Sequence, residues 1–195
     1  MKKNIGIILK KYQPKKQLIS ILDKRIGKIK CVPNNQNVIL GSLVSYLITK
    51  NRSPYFIQDI EILHIPFETA IDDILFFHHV LELCYQFSPW QCPSGEIFDL
   101  VKYLYFFSNM IKSNIDKKLF LFKLFTLLGL YPEGLQFQTT YFHNLATKSI
   151  DRIVSENLHL KSEIEIDNWL HCCIEMQPQL SNLKTINFYI KNRLL

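Results

Sequence analysis

The first 55 residues of this chain almost lack acidic side chains. They hold 12 Lys and Arg residues against a single acid, Asp23. The remaining residues hold 11 basic and 16 acidic side chains, so the two parts carry formal charges of +11 and −5. A dense basic segment can be no more than a solvated surface. Otherwise its charge attracts polyanions over long range. The charge pattern therefore indicates nucleic acid, an anionic membrane surface or an acidic peptide as the partner.

Long apolar runs are also missing. The apolar stretch near the N-terminus ends at Lys10 after about six residues, below the roughly seven that a signal peptide needs. The most apolar later segment, Leu119 to Leu130, is shorter than the about 20 residues that cross a bilayer. We therefore expect neither export nor a membrane span, and no membrane partner.

Cysteine is too scarce and too irregular for a disulfide framework. The five cysteines are odd in number, which favours free thiols in a reducing compartment and predicts a cytoplasmic protein. The clusters His78-His79 and His171-Cys172-Cys173 consist of adjacent residues on predicted helices, where neighbours point about 100° apart and do not converge on one ion. We predict no metal and no other cofactor.

Sequence motifs of common enzymes are absent as well. The chain has no Gly-rich phosphate loop, no nucleophile elbow and no helix with paired metal ligands. Distant residues could still assemble a catalytic triad, because triads are defined by geometry. The sequence nevertheless favours a binding protein over an enzyme.

What the chain does have is a front part with the pattern of short strands. Runs of β-branched and aromatic residues alternate with Pro, Gly and Asn turn signals. The predicted strands are Ile5–Leu9, Gln17–Leu22, Lys28–Val32, Val38–Thr49 with a break near Gly41, and Tyr55–Leu63. Five strands of this size predict a small barrel or sandwich in residues 1–65.

After Pro66 the apolar period becomes helical, which predicts an all-helical domain over residues 66–195 and an α+β fold class for the chain. Thr69 and Asp72 fit a capping box at the first helix. The third helix is the best marked: it starts near Asn114, and Gly129 and Pro132 fit its end near Leu128. The other predicted helices span Ser94 to about Ile111, Ser149–Asn157, Ile166–Gln177 and Leu180–Arg193.

The basic residues of the front part are the candidate binding site. The period of two in Lys28 to Cys31 places both lysines on one face, which we expect to be solvated, and Ile29 with Cys31 on the other. A cationic groove with an aromatic side chain tracks a single nucleic-acid strand. The predicted nucleic-acid-binding residues are Lys10, Lys11, Tyr12, Lys15, Lys16, Lys24, Arg25, Lys28, Lys30, Lys50 and Arg52.

The order of these parts, together with several short motifs, is similar to one known family. In the front part the similar motifs are Gly6-Ile7-Ile8-Leu9, Tyr12, Leu18 to Leu22 and Gly27-Lys28-Ile29. In the helical part they are Phe98-Asp99-Leu100, Phe120 to Leu124, Leu128 to Glu133 and the closing Leu180 to Ile190. With these residues the chain resembles the RecO family of recombination mediators.

The resemblance implies an OB-like barrel followed by a helical domain, and a function without catalytic turnover. It implies binding to single- and double-stranded DNA, annealing of complementary strands, and help in loading RecA, with RecR and single-strand binding protein as partners. Many family members carry a four-cysteine zinc site after the Pro-Glu turn. Residues 134–144 contain no cysteine here, which agrees with the prediction of no metal.

Two other functions remain open from the sequence. One is a general OB-type module for single-stranded DNA or RNA without a mediator role. The other is a non-enzymatic scaffold whose basic face binds acidic protein or membrane surfaces.

Overall fold

The structure is a computed structural model of the chain. It describes residues 3–12, 18–34, 38–50, 53–106, 111, 113–131, 152, 160–181 and 183. The strands are β1 Asn4–Lys11, β2 Ile19–Asp23, β3 Gly27–Pro33, β4 Leu43–Lys50 and β5 Tyr55–His64. The helices are α1 Phe67–Phe87, α2 Gly95–Phe106, α3 Asn114–Leu128, α4 Leu160–Met176 and α5 Pro178–Ser181.

The five strands close into a barrel in the order β1-β2-β3-β5-β4. All neighbours are antiparallel except β3 and β5, which run parallel over three residue pairs from Cys31↔Tyr55 to Pro33↔Ile57. The predicted five-stranded front part is therefore confirmed as a closed barrel. The predicted break near Gly41 is also confirmed, since Gly41 has a positive φ of 75° in a turn and β4 begins at Leu43.

The barrel interior is filled by the alternating apolar residues of its strands. Ile8, Ile21, Ile29, Val44 and Tyr46 are fully buried there. Because each buried aliphatic side chain contributes roughly 1.5–3 kcal/mol, this cluster is the main source of the barrel's stability.

The single acid of the basic segment has a structural role inside this barrel. Asp23 is fully buried, and its carboxylate accepts hydrogen bonds from the Asn4 amide, the Tyr46 hydroxyl and the backbone N–H groups of Arg25 and Ile26. A buried carboxylate is tolerated when its oxygens are satisfied in this way. Asp23 thereby fixes the turn that joins β2 to β3.

Helix α1 begins earlier than its predicted capping box. The N-cap position is Pro66, without a side-chain hydrogen bond, so the prediction of Thr69 as the cap is wrong. A cap residue must lie outside the helical backbone conformation, and Thr69 lies within the first turns. The helix is interrupted at Asp73, whose backbone is extended (φ −157°) and whose side chain accepts from the Phe76 N–H at 3.0 Å. Asp73 thus caps the longer second part of α1.

Helix α2 begins where Ser94 predicts. The Ser94 carbonyl accepts the first helical hydrogen bond, from the Phe98 N–H at 2.9 Å, which places Ser94 at the N-cap position, but its buried hydroxyl has no hydrogen-bond partner among the described residues. Helix α2 is described as far as Phe106, and residues 107–110, which the predicted helix includes, lie outside the described residues. The Tyr105 hydroxyl donates to the Gly41 carbonyl at 2.6 Å, which ties α2 to the turn before β4.

Helix α3 has the boundaries that the sequence predicts. Ser113 and Asp116 form a reciprocal capping box at its start, and Gly129 takes the left-handed conformation (φ 72°) at its end. Helix α4 covers most of the predicted Ile166–Gln177 and begins six residues earlier, at Leu160. The Lys118 ammonium group lies 2.7 Å from the Asp167 carboxylate, which joins α3 to α4. The predicted helices Ser149–Asn157 and Leu180–Arg193 lie largely outside the described residues.

The chain forms two compact units, Met1–Phe106 and Phe107–Leu195. Strand β5 ends at His64, and α1 and α2 belong to the same unit as the barrel. The predicted domain boundary between residues 65 and 66 stays a prediction. In the part of the chain that the structure describes, no helix is both long and apolar enough to cross a membrane.

Candidate nucleic-acid interface

A group of lysines and aromatic rings lies together on the outer surface of the barrel, beside the C-terminal end of α1. We call it the lysine–aromatic cluster. Its members are Lys10, Tyr12, Lys28, Lys30, Tyr85 and Trp90.

The strands position the first half of the cluster. In β3, Ile29 and Cys31 point into the core, so the alternation places Lys28 and Lys30 on the outer face. Tyr12 follows the last residue of β1. Its hydroxyl lies 3.1 Å from the Ser20 hydroxyl of β2 and 3.1 Å from the Tyr85 hydroxyl of α1. This three-way contact holds the Tyr12 ring against the barrel.

Trp90 reaches the cluster through the segment that joins α1 to α2. This segment runs beside β3, since Trp90 and Lys28 form a parallel bridge and the Gln91 N–H donates to the Lys28 carbonyl at 3.0 Å. Gly27 (φ 85°) makes this approach possible, because a Cβ atom at Gly27 would lie 1.8 Å from the Cys92 carbonyl oxygen. A glycine is therefore required at the start of β3.

The prediction that Lys28 lies on a solvated face is wrong. Lys28 is only 2% exposed, because α1 and the Trp90 segment cover this part of β3. Its ammonium group donates to the Tyr85 carbonyl at 2.7 Å and lies 4.5 Å from the centre of the Trp90 ring. Tyr85 belongs to the last turn of α1, where carbonyl groups lack helical partners and no basic side chain of the helix is present. Lys28 thus supplies the positive charge that this helix end favours.

Burial changes the acid–base behaviour of Lys28. Removal from water lowers the pKa of Lys28 from 10.5 to about 8. The charge of Lys30 lowers this pKa further, whereas Cys84 has the opposite effect. Lys28 therefore remains mostly protonated near pH 7 but loses its proton about 2.5 pH units earlier than an exposed lysine.

The other two lysines present their charges over the same rings. The Lys10 ammonium group lies 4.3 Å from the Tyr85 ring centre and 5.5 Å from that of Tyr12. The Lys30 ammonium group lies 5.2 Å from the Trp90 ring centre and 5.9 Å from that of Tyr12. Cations within about 6 Å of an aromatic ring are attracted to its face. Rings and charges therefore alternate across this surface.

Three further predicted site residues lie on the same unit with other surroundings. Lys24 is paired with Asp99 of α2 at 2.8 and 3.0 Å, so its charge is partly neutralised. Lys11 and Arg25 are exposed. The side chains of Lys15, Lys16, Lys50 and Arg52 lie outside the described part of the structure.

Two members of the cluster were not predicted from the sequence. Tyr85 lies in a run of apolar helix residues, and Trp90 lies in a short connection, so neither has a local binding pattern. The available signal was the composition of the connection Ser88-Pro89-Trp90, since a large aromatic residue in a short loop often serves in recognition.

The cluster is suited to binding a polyanion with aromatic bases. Trp90 is 46% exposed, which leaves ring surface for stacking, while Lys10 and Lys30 can contact phosphates. Burial raises the pKa of Tyr12 above 10, so its hydroxyl stays neutral at physiological pH and adds no negative charge.

The described residues contain no group of three or more His, Cys, Asp or Glu side chains that could hold a metal ion. All five cysteines are free thiols. Burial raises the pKa of Cys31, of Cys84 (to about 12) and of Cys173, so these three thiols are poor nucleophiles.

No protein-family model and no curated protein matches this chain.

Proposed function

We propose that this protein binds nucleic acid through the lysine–aromatic cluster and acts as a DNA-binding recombination mediator of RecO type. The observation that carries the binding part is the placement of three lysine ammonium groups within 6 Å of three aromatic rings on one barrel surface. A nucleic-acid strand likewise carries charged phosphates and aromatic bases close together along its length. Nucleic acid therefore uses both the charges and the rings of this surface.

The barrel topology supports an OB-like assignment. OB-folds are five-stranded barrels that bind oligonucleotides on the face of strands 2 and 3 and through the loops after strands 1 and 4. In this chain Ser20 lies on β2, Lys28 and Lys30 on β3, and Tyr12 opens the loop after β1. This position of the cluster supports ligand binding of the OB type.

The mediator role rests on the resemblance of the motifs to the RecO family. In this role, Lys10 and Lys30 neutralise phosphates so that two complementary strands can approach each other. The helical unit then offers a surface for RecR or single-strand binding protein. No catalytic step is needed, because annealing is driven by base pairing.

Charge reversal of Lys30 tests the binding part. We expect Lys30→Glu to weaken binding of a labelled single-stranded oligonucleotide, and to flatten the log–log salt dependence by about 0.7 for the lost phosphate contact. Fluorescence anisotropy over a range of salt concentrations measures both. Lys30 is preferable to Lys28 for this test, because an acid in the enclosed position of Lys28 would also disturb the fold.

The matched control is Lys102→Glu, which makes the same charge change on α2, beside the Phe106 ring and outside the cluster. Equal affinities and equal salt slopes for the two variants would show that the cluster is not the interface. Stronger binding to anionic liposomes than to oligonucleotides would instead favour a scaffold for membrane surfaces.

Annealing separates a mediator from a general binding module. The wild-type protein is expected to anneal complementary strands coated with single-strand binding protein, and Lys30→Glu to do so more slowly. A protein that binds bare strands but leaves coated strands unannealed would be a general single-strand module.

A further inference from the structure

A cavity of about 240 Å³ lies on the outer surface of the barrel where β3 and β5 run parallel. Its floor and walls combine an aromatic ring, aliphatic groups and two carboxamides. The lining residues are Val32, Pro33, Asn34, Thr49, Phe56, Ile57 and Gln58. Phe56 is the most prominent of them, since its residue is 40% exposed although its strand belongs to the barrel.

The cavity continues the surface of the lysine–aromatic cluster. Lys28, Lys30 and Val32 alternate with the inward residues of β3 and therefore share its outer face. Val32 on β3 is the register partner of Phe56 on β5. The two cavity residues therefore lie side by side on paired strands. Lys30 and Val32 are separated by about 7 Å along the strand.

The chemistry of the lining fits a nucleobase. The Phe56 ring and the Val32 side chain offer apolar surface to the flat face of a base. The carboxamides of Asn34 and Gln58 each carry a donor and an acceptor, which match the polar edge of a base. The described residues that line the cavity are all uncharged, which suits the face and edge of a base.

We propose that this cavity binds one unstacked base of a single strand whose phosphates lie at Lys30, an inference that rests on the proposed function. An enclosed base site of this kind favours a single strand over a duplex. A base reaches the cavity only when it is separated from its neighbour, which a single strand allows at little cost and a duplex does not.

The variant Phe56→Leu tests this proposal. Leucine retains apolar volume but removes the ring face, and the exposure of Phe56 keeps the effect on folding small. We expect the affinity for a single-stranded oligonucleotide to fall at least about five-fold, the lower limit for losing one base stacked on an aromatic ring. The affinity for a duplex of the same length should change less than about two-fold.

A second measurement follows the base directly. An oligonucleotide that contains the fluorescent base 2-aminopurine at each position in turn should show one position with a changed emission in the wild-type complex. This change should be absent in the complex with Phe56→Leu. The matched control is Ile62→Ala, which removes an equally exposed (41%) apolar side chain further along β5.

The outcomes distinguish this inference from the proposed function. If Lys30→Glu weakens binding while Phe56→Leu leaves the ratio of single-strand to duplex affinity unchanged, the cavity is not a base site and the proposed interface stands. Such a result would overturn the inference in favour of another occupant, such as an apolar side chain of a protein. If neither variant differs from its control, the proposed function fails as well.

Discussion

The ammonium group of Lys28 is enclosed between the barrel, the last turn of α1 and the Trp90 ring. Such a position is costly for a charge, and three features compensate for it. These are the hydrogen bond to the Tyr85 carbonyl, the negative end of the α1 dipole and the face of the Trp90 ring. Lys28 is therefore a structural residue that also adds positive charge beneath the proposed interface.

The pH dependence of stability should reveal this enclosed lysine. Because the pKa of Lys28 is lowered from 10.5 to about 8 by folding, the unfolded chain holds a proton between these values that the folded chain has lost. The free energy of unfolding should therefore rise with pH in this window, by up to about 3 kcal/mol from this residue. Urea denaturation of the wild type and of Lys28→Met, at pH 7 and pH 10.5, measures the difference.

Lys28→Met retains the length and most of the volume of the side chain but has no titratable group. The stability difference between wild type and variant should therefore shift in favour of the wild type as pH rises. A difference that stays constant between pH 7 and 10.5 would contradict an enclosed, weakly basic Lys28.

The position of Lys28 also shows where sequence patterns fail for single residues. The period of two correctly separated Lys28 and Lys30 from the inward Ile29 and Cys31. It could not show that Lys28 is covered while Lys30 remains partly exposed. The covering residues Tyr85 and Trp90 lie more than 50 residues away along the chain. Burial at the outer face of a strand depends on such distant packing.

Among the elements, the short connection between α1 and α2 has the largest effect on the proposed interface. It forms an isolated bridge to β3 and thereby brings Trp90 to the cluster. Its path depends on Gly27, where the connection comes closest to the strand. A side chain at this position would both strain the backbone and push the connection away.

The variant Gly27→Ala tests this dependence. Its Cβ atom would lie 1.8 Å from the Cys92 carbonyl, so the connection has to move and Trp90 with it. We expect a loss of about 2 kcal/mol or more in the free energy of unfolding, together with weaker oligonucleotide binding. Urea denaturation and anisotropy measure the two effects.

Gly129→Ala is a matched control for this prediction. Gly129 also has a positive φ (72°), but no atom lies within 4 Å of its added Cβ. This variant should lose about 1 kcal/mol from backbone strain alone and should keep its binding. Equal losses in both variants would mean that the close approach at Gly27 is unimportant.

The elements themselves were largely predictable from the sequence. Local signals located all five strands, and Gly129 located the end of α3, because turns and caps act within a few residues. The start of α1 was missed because Pro66 replaces a polar cap and Asp73 interrupts the helix. The cavity at Phe56 was also missed, since it arises from the parallel pairing of β3 with β5, which no local pattern specifies.

At the scale of the whole molecule, the charge contrast between residues 1–55 and 56–195 does not coincide with the division into two compact units. The unit Met1–Phe106 contains 13 basic and 9 acidic side chains, and the unit Phe107–Leu195 contains 10 and 8. Their formal charges are thus +4 and +2. The contrast between a basic and an acidic part lies within the first unit, where the basic strands face acidic helices such as α2 with Asp99. The positive surface is consequently confined to part of the barrel.

This arrangement predicts that the first unit binds alone. A fragment of residues 1–106 contains the whole lysine–aromatic cluster and the cavity at Phe56. We expect its affinity for single strands to lie within about three-fold of that of the full chain at equal salt. Anisotropy measures this, with circular dichroism to verify that the fragment is folded. A folded fragment without affinity would place essential contacts in the second unit.

The distribution of the two tryptophans makes each unit optically distinct. Trp90 lies half-exposed in the cluster, whereas Trp169 is buried against Phe122 in the second unit. The emission of Trp90 should respond to a bound base, while Trp169 should report the packing of α3 on α4. A pair of single-tryptophan proteins, made by changing either residue to Phe, would therefore separate ligand binding from changes in the second unit without any added label.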